Sequence, residues 1–441
     1  MNFTVDEIVK ATDAEVIKSA KSLRKHSVST DSRKTEQGQI YLPLKGENFD
    51  GKNFIENVLE NRAAGYFTDD KSLIFDSAEN IFYVEDTKEA YLKLASYYKN
   101  KVLPITIAIT GSTGKTTTKE MLYHVVSQQF KTHKSLLNHN NEIGLCQTLL
   151  SMPCDTDVLI AEMGMRGIGE IELLSKYAEP DIAIISNVGH AHIGRLGSIK
   201  NIAKAKCEVT KHLHSEGTLI AHDSDVIKEE NSFKGKTIYF SLNSKSLKIL
   251  ELTPSMSKFV YKNQEYKLFL EGEHNIENAI SVIEAGILLG IPSHTIAKGL
   301  EEFKPIEKRW ESETIKGFSI INDSYNANPD SVKAALKTFL TLYKKPKIIV
   351  LGDMGELGKN EKKYHQELGE FLKNYKYDYL ITVGKLAKYI KNGADDKVKR
   401  FSNNKGIAKF ILKKMEKEAN ILFKASRSMK FEEIIEELKA L

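Results

Sequence analysis

The chain reads as a three-domain α/β protein: a small mixed α/β N-terminal domain, a central P-loop mononucleotide-binding domain with a parallel sheet, and a C-terminal doubly wound, Rossmann-like α/β domain. Three observations predict it. At 441 residues the chain is too long for one ordinary hydrophobic core. From residue 105 onward, apolar strand-like runs alternate with helical periodicity, the pattern of parallel sheets covered on both faces. Residues 105–118, ITIAITGSTGKTTT, end one such run in a glycine turn carrying Lys115 and three threonines. The expected division is 1–102, 103–311 and 312–441.

In the first domain QIYLPLKG reads as a strand and EAYLKLASYYKN as an amphipathic helix ending before Pro104. In the second, ITIAIT, DVLIAEMG and DIAIISNVG are strands, each followed by helical periodicity. KTIYFSL and EYKLFLEG are β-type, and NIENAISVIEAGILLG is a long helix with an apolar face. In the third, SIIN, KIIVLGD, YLITVG and NILFKA are strands, spaced by helices such as DSVKAALKTFLTLY and GIAKFILKKMEKEA. Doubly wound sheets bind ligands beyond the carboxyl ends of their strands, so Asp323, Asp353, Gly384 and Lys424 are expected along one edge.

The glycine turn has the physics of a nucleotide site. In the loop Gly111, Ser112, Thr113 and Gly114, the glycines let backbone N–H groups face an anion with no Cβ in the way. The helix opening near Thr116 turns its positive dipole end to the same spot. Lys115 is placed for the β- and γ-phosphates and the Thr116 hydroxyl for Mg²⁺, with Thr117 beside it. The spacing departs from GxxxxGK[ST]: Ile109 stands where the first glycine is usual, and Gly111 follows two residues later. A GK[ST] triplet alone is equally an ordinary strand-to-helix turn. The apolar run before it and the helix-like KEMLYHVVSQQF after it favour the nucleotide.

Composition removes several classes. Hydrophobic residues at 41% and charged residues at 28% describe a globular chain rather than a disordered one. The formal charge is +5 and the lysines are scattered, so nucleic acid is not an expected partner, while a locally positive pocket for an anionic substrate stays open. Cys146, Cys154 and Cys207 lack CxxC spacing, which fits a reducing compartment. The N-terminus lacks the charged-then-apolar pattern of a leader, and no run approaches the roughly 18 apolar residues of a membrane span. The expectation is a cytoplasmic protein with no membrane insertion.

Further candidates cluster at the strand ends of the second domain. Glu162 ends DVLIAE as the P-loop ends its own strand, so the two face one crevice and Glu162 could hold Mg²⁺; an exposed acid at a strand end is the plainer alternative. His190 and His192 follow the third strand, as a metal pair or as surface imidazoles. Lys204 and Lys206 lie on the next helix, where lysines are ordinarily a solvated face. Asn275 and Asn278 are one helical turn apart and could read a planar hydrogen-bonding ring such as adenine, or cap a helix.

TGSTGKTTTKEM, LNHNNEIGL, AEMGMRGIGEI, NVGHAHIGRLGSIKNIAKAKCE, GEHNIENA, the arginine of KRWE, DSYNANPDS, LGDMGELG and KASRSM stand in this order along the chain. Together they resemble the Mur ligases over nearly the whole length. TDSRKTEQGQIYLPLKGENFDG resembles that family's uridine-nucleotide-binding segment. Tyr325, Asn326, Ala327, Asn328 and Pro329 stand where members that add diaminopimelate or lysine show Tyr-Ala-His-Thr-Pro, and no Asn-Pro-Arg occurs. That points to the dipeptide-adding branch.

The resemblance implies an ATP-dependent ligase of peptidoglycan synthesis. It would join D-alanyl-D-alanine to UDP-N-acetylmuramoyl-tripeptide through an acyl phosphate, using ATP and Mg²⁺, expected as two ions, and act as a monomer. It implies Lys115 on the transferring phosphate, Thr116 and Glu162 on the first Mg²⁺, and His192, rather than His190, on the second with a carbamoylated Lys206. Cys207 stands where the family often has glycine. Asn275 and Asn278 would contact adenine, Arg309 a phosphate and Asp323 the ribose. Asp31, Ser32 and Arg33 are expected at the uridine diphosphate, and Asn138, Asn141, Tyr325, Asn326 and Asn328 on the substrate side of the junction. Lys424, Ser426 and Arg427, with Ala425 where glycine is usual, are expected at the incoming dipeptide. Two other readings stay open: a sibling ligase adding diaminopimelate, lysine or glutamate, and a non-ligase protein in which ATP merely closes the domains.

Overall fold

The computed structural model describes residues 1–20, 24–46, 48–136, 139–304, 309–393 and 398–441. Three large sheets follow one another along the chain. The first has the order Glu15–Lys18, Asn80–Tyr83, Gly65–Thr68, Ile40–Tyr41, Val28–Ser29, antiparallel only at its Glu15–Lys18 edge. QIYLPLKG gives this sheet only Ile40–Tyr41, because Pro43 has no N–H to continue the ladder, and its end, Lys45–Gly46, pairs with Phe49–Asp50 in a separate two-stranded sheet. The helix Thr87–Val102 is capped by Asp86, whose carboxylate accepts the N–H groups of Lys88 and Glu89, and it closes at left-handed Leu103 just before Pro104.

The second sheet is all parallel, in the order Lys236–Phe240, Thr218–His222, Ile182–Ile185, Ile105–Thr110, Val158–Glu162, Thr132–Lys134. The three strands expected from sequence are neighbours at its centre, buried on both faces as continuous apolar runs must be. The short polar Thr132–Lys134, and Thr218–His222 behind a glycine, gave no comparable signal. Register pairs Glu162 with Ile109 and Ile185 with Thr110, so three strands end together at one edge. The EYKLFLEG stretch leaves this sheet: Gln264–Leu268 joins Leu247–Thr253 and Met256–Tyr261 in a separate antiparallel sheet.

The third sheet runs Glu311–Ile315, Phe318–Asn322, Asn420–Lys424, Lys347–Gly352, Tyr379–Val383, Val398–Phe401 and is parallel except at its Glu311–Ile315 edge. The helix Pro329–Leu342 opens with Asn328 and Ser331 in a reciprocal capping box and proline in its first turn. These sheets bear out the α/β architecture read from the sequence. One apolar core runs from Phe3 and Phe67 through the central sheet to Leu336 and Ile349, while the outer faces of the first and third sheets keep clusters of their own. Among the described residues no helix is long and apolar enough to cross a membrane.

Candidate active site

The P-loop is shaped by two glycines and held by its neighbour. Gly111 has φ +154°, and a Cβ there would lie 1.9 Å from Ser186 Oγ; Gly114, at φ +78°, leaves no room beside Asn278 Oδ1. The following loop of the sheet braces it. Ser112 N–H donates to Asn187 O at 3.0 Å, Thr113 N–H to Asn187 Oδ1 at 3.0 Å, and Ser186 Oγ to Thr113 O at 2.6 Å. The helix Lys115–Val126 starts directly behind. Lys115 Nζ folds back to donate to Gly111 O at 2.7 Å. Burial pushes its pKa below the ordinary lysine value, with Glu162 opposing and Arg309 adding to the fall.

Glu162 is buried where its strand ends. Its Oε1 accepts from Asn140 Nδ2 at 3.1 Å, while Oε2 makes no hydrogen bond and lies 3.4 Å from the buried Lys119 Nζ. Asn140 was not among the expected residues; NHNN marked the stretch without showing which asparagine turns inward. Asn138 lies outside the described residues. Asn141 caps the helix Glu142–Ser151 by accepting the Gly144 N–H at 2.9 Å.

The two histidines part company. His192, left-handed at φ 63°, has Nδ1 2.5 Å from Glu356 Oε2, a close imidazole–carboxylate contact. The imidazole holds Glu356 below the usual carboxylate range. His190 faces Asp330 instead. The two lysines part as well, since positions two apart point to opposite sides of a helix. Lys204 is exposed and Lys206 buried. Lys206 has no ion pair among the described residues, and burial, with Lys115 nearby, drives its pKa well below the ordinary value. Cys207 is a buried thiol pushed up to about 12 by desolvation.

Across from these, Asn275 and Asn278 project from the helix Glu273–Leu288. Asn275 Nδ2 donates to Glu271 O at 2.7 Å. The Arg309 guanidinium stacks 4.1 Å from the centre of the Tyr325 ring. The next residue, Trp310, is buried with its ring 6.4 Å from the His274 imidazole in an edge contact. Asp323 pairs with Lys424 at 2.7 Å, and Lys424 Nζ also donates to Asn326 O at 2.8 Å.

A single cavity of about 700 Å³ gathers most of this set. Its walls include Ser112 through Thr117, Asn141, Glu162, His192, Lys206, Asn275, Asn278, Arg309, Asp323, Tyr325, Asn326, Asn328 and Lys424. Asn140, Lys88, Arg166 and His274 also line it; Asn140, Arg166 and His274 fall inside recognised motifs that did not show which residue turns inward, and nothing in its local pattern marks Lys88.

Other expected residues lie elsewhere. Asp31 and Arg33 pair with each other at 2.9 Å on the exposed surface of the first domain, and the guanidinium holds Asp31 at about 2. Ser32, beside them, is buried. Ser426 Oγ is 3.2 Å from Ser428 Oγ, and Arg427 pairs with Glu432 at 2.8 Å, so of that trio only Lys424 reaches the cavity. Asp353 and Gly384 do not line it either. Asp353 accepts the N–H groups of Lys385, Leu386 and Ala387. Its carboxylate is spent on the turn after Tyr379–Val383.

The donors fit a metal that arrives with its ligand. Among the described residues no three His, Cys, Asp or Glu side chains converge as a resident site. One buried carboxylate oxygen of Glu162 and the Thr116 hydroxyl suit Mg²⁺, which keeps phosphate and water ligands beside one or two protein oxygens.

Fold and cavity define a class: P-loop proteins of three α/β domains in which the nucleotide loop and a second doubly wound domain close on one chamber. The chain belongs to the Mur ligase family. Residues 24–99 match the Mur ligase family catalytic domain, 109–286 the Mur ligase middle domain, and 308–427 the Mur ligase glutamate ligase domain. The UDP-N-acetylmuramoyl-tripeptide–D-alanyl-D-alanine ligase of Bacillus subtilis is 40% identical over 94% of this chain and 93% of its own. The structure of MurF from Acinetobacter baumannii superposes with a TM-score of 0.92 at 30% identity, covering 100% of this chain and 99% of that one. MurF of Thermotoga maritima, in complex with ADP, gives 0.86 at 26% identity over 94% and 97%.

Proposed function

We propose that this chain joins D-alanyl-D-alanine to UDP-N-acetylmuramoyl-tripeptide at the expense of ATP, making the pentapeptide precursor of peptidoglycan. The observation that carries it is the one chamber shared by the P-loop, the buried Lys206 and the Asp323–Lys424 pair, in a chain similar throughout to ligases of that name. The domains would divide the work as 1–102 for the uridine nucleotide at Asp31, Ser32 and Arg33, 103–311 for ATP, and 312–441 for closure and the dipeptide at Lys424. Ser426 and Arg427 receive no role here. ATP and the nucleotide-linked tripeptide are cytoplasmic metabolites, so the cytoplasm is the expected compartment, and every named group comes from one chain, so a monomer suffices.

The chemistry needs charge neutralised before bonds change. The tripeptide carboxylate attacks the γ-phosphorus and ADP departs; the dipeptide amine then attacks the acyl carbon, loses a proton and expels phosphate. A carboxylate nearing a triphosphate is repelled, and Lys115, once turned from Gly111 O, would offset that charge together with Arg309 and the opening N–H groups of the helix Lys115–Val126. Mg²⁺, when bound, supplies Lewis-acid stabilisation of the phosphates. Thr116 and Glu162 would hold a first ion. His192, with Nδ1 turned to Glu356, would offer Nε2 to a second beside a carbamoylated Lys206, the usual carboxylate–imidazole–metal order. Carbamate formation needs a neutral amine, and burial, which lowers the Lys206 pKa, favours that form. Asn275 and Asn278 would take the adenine and Asp323 the ribose, while Asn141, Tyr325, Asn326 and Asn328 would flank the joined substrates.

The test is phosphate release from ATP with the nucleotide tripeptide present, with and without the dipeptide, and mass detection of pentapeptide. Release and product that both require D-alanyl-D-alanine are expected. Product with single amino acids instead would move the chain to a sibling ligase, and dipeptide-independent turnover would leave an ATP switch.

A further inference from the structure

The loop that braces the P-loop is gripped from its other side by the C-terminal domain. On the inner side, Gly189 N–H donates to Ser112 Oγ at 2.8 Å, and Ser112 Oγ donates to Gly189 O at 3.1 Å. On the outer side, Asp330, in the first turn of Pro329–Leu342, accepts the His190 N–H at 2.5 Å, and both its oxygens lie 3.0 Å from His190 Nδ1. Tyr364 of the neighbouring helix Glu361–Leu372 sets its ring against the same imidazole at 5.2 Å and 67°. A Cβ on Gly189 would come within 2.3 Å of Asp330 Oδ2, so the carboxylate reaches this backbone only because residue 189 is glycine. A few residues on, the two domains meet again through backbone alone: Gly194 N–H donates to Glu356 O at 2.9 Å, and a Cβ on Gly194 would lie 2.4 Å from Gly358 N.

We propose that Asp330 is a positioning residue that couples closure of the C-terminal domain to the P-loop. It touches no substrate. Its carboxylate ties the C-terminal domain to the Gly189–His190 peptide, whose carbonyl accepts from Ser112 Oγ of the nucleotide loop, while the N–H of the preceding peptide, on Gly189, donates to the same hydroxyl. These bonds exist only with the domains together, so they favour the closed state and the loop shape that goes with it. A charged acceptor on a backbone N–H and an imidazole is stronger than a neutral one, which gives the tie its weight.

The inference rests on the ligase reading, and the experiment separates the two. In the full-length protein, Asp330→Ala is expected to lower kcat/KM for D-alanyl-D-alanine about tenfold, or about 1.4 kcal/mol. Small-angle scattering with a non-hydrolysable ATP analogue should show a larger radius of gyration than wild type, and Tm should stay within about 2 °C. Asp330→Asn, which keeps an acceptor for the His190 N–H, should recover part of the loss. Gly189→Ala should reproduce it, with the double variant no worse than the poorer single one, because both break the same tie. Scattering indistinguishable from wild type, or losses that follow a falling Tm, would overturn the proposal. If wild type makes no pentapeptide the ligase reading fails, while the scattering comparison still decides whether Asp330 holds the domains together.

Discussion

Glu162, the last residue of one central parallel strand, and Asp353, the residue just past another, are both carboxylates at a sheet's carboxyl edge, and they do different things. Asp353 accepts three successive backbone N–H groups, from Lys385, Leu386 and Ala387, and is used up by its own domain. Glu162 has one oxygen on Asn140 and one with no hydrogen bond, beside Lys119 at the floor of the chamber. Topology puts an acid at the carboxyl edge in both cases. What decides its use is whether nearby backbone donors have already consumed it.

The sharpest way to break this comparison is Glu162→Ala, expected to lower turnover by about 10²–10³-fold and raise the Mg²⁺ concentration needed for half-maximal rate. Near wild-type magnesium dependence would make Glu162 a second Asp353. Next comes Lys206→Met, with turnover falling about 100-fold and a small added carboxylate restoring part of it. Its effect on stability has the opposite sign. The folded pKa of Lys206 lies below that of the unfolded chain, so between the two the unfolded state binds the extra proton and burial of the amine costs stability. Lys206→Met should therefore melt higher than unmodified wild type at neutral pH, with the gain shrinking as pH rises toward about 10.4. A gain constant across that range in melting curves would remove the assignment. The smallest effect is reserved for Asp353→Ala. Losing a carboxylate that satisfies three N–H groups should cost about 1–3 kcal/mol in denaturant titration, with kcat and all three KM values within about twofold. Collapse of activity at unchanged stability would place Asp353 in the site after all.

How much was legible follows from the same distinction. Lys115, Thr116 and their glycines were readable because a contiguous loop carries its own backbone geometry, and the steric clearances at Gly111 and Gly114 are the reason for those letters. The strand alternation gave the sheets, since runs such as VLIAE can be buried only one way. The HxH and KxK pairs were readable only as pairs. Spacing alone did not separate His192 from His190, only the family resemblance did, because their partners Glu356 and Asp330 arrive from more than a hundred residues away. Asn140 and Asn187 were invisible for the same reason: each acts on a neighbouring strand's end, at a distance the local pattern does not encode. Asp353 and Gly384 look like edge residues in the sequence, and in the fold the missing Cβ of Gly384 leaves room for the Asp353 carboxylate to bind the turn that follows.

Trp310 is the only tryptophan in 441 residues, and it is buried beside His274 at the point where the chain passes from the nucleotide-binding half to the C-terminal half. The molecule thus carries a single native optical probe on the wall of the chamber. Indole emission from this protein reports one location, undiluted by any second fluorophore of its kind, so nucleotide arrival, and the proposed closure with it, would be timed in unlabelled enzyme by stopped-flow, in the same solutions used to measure turnover.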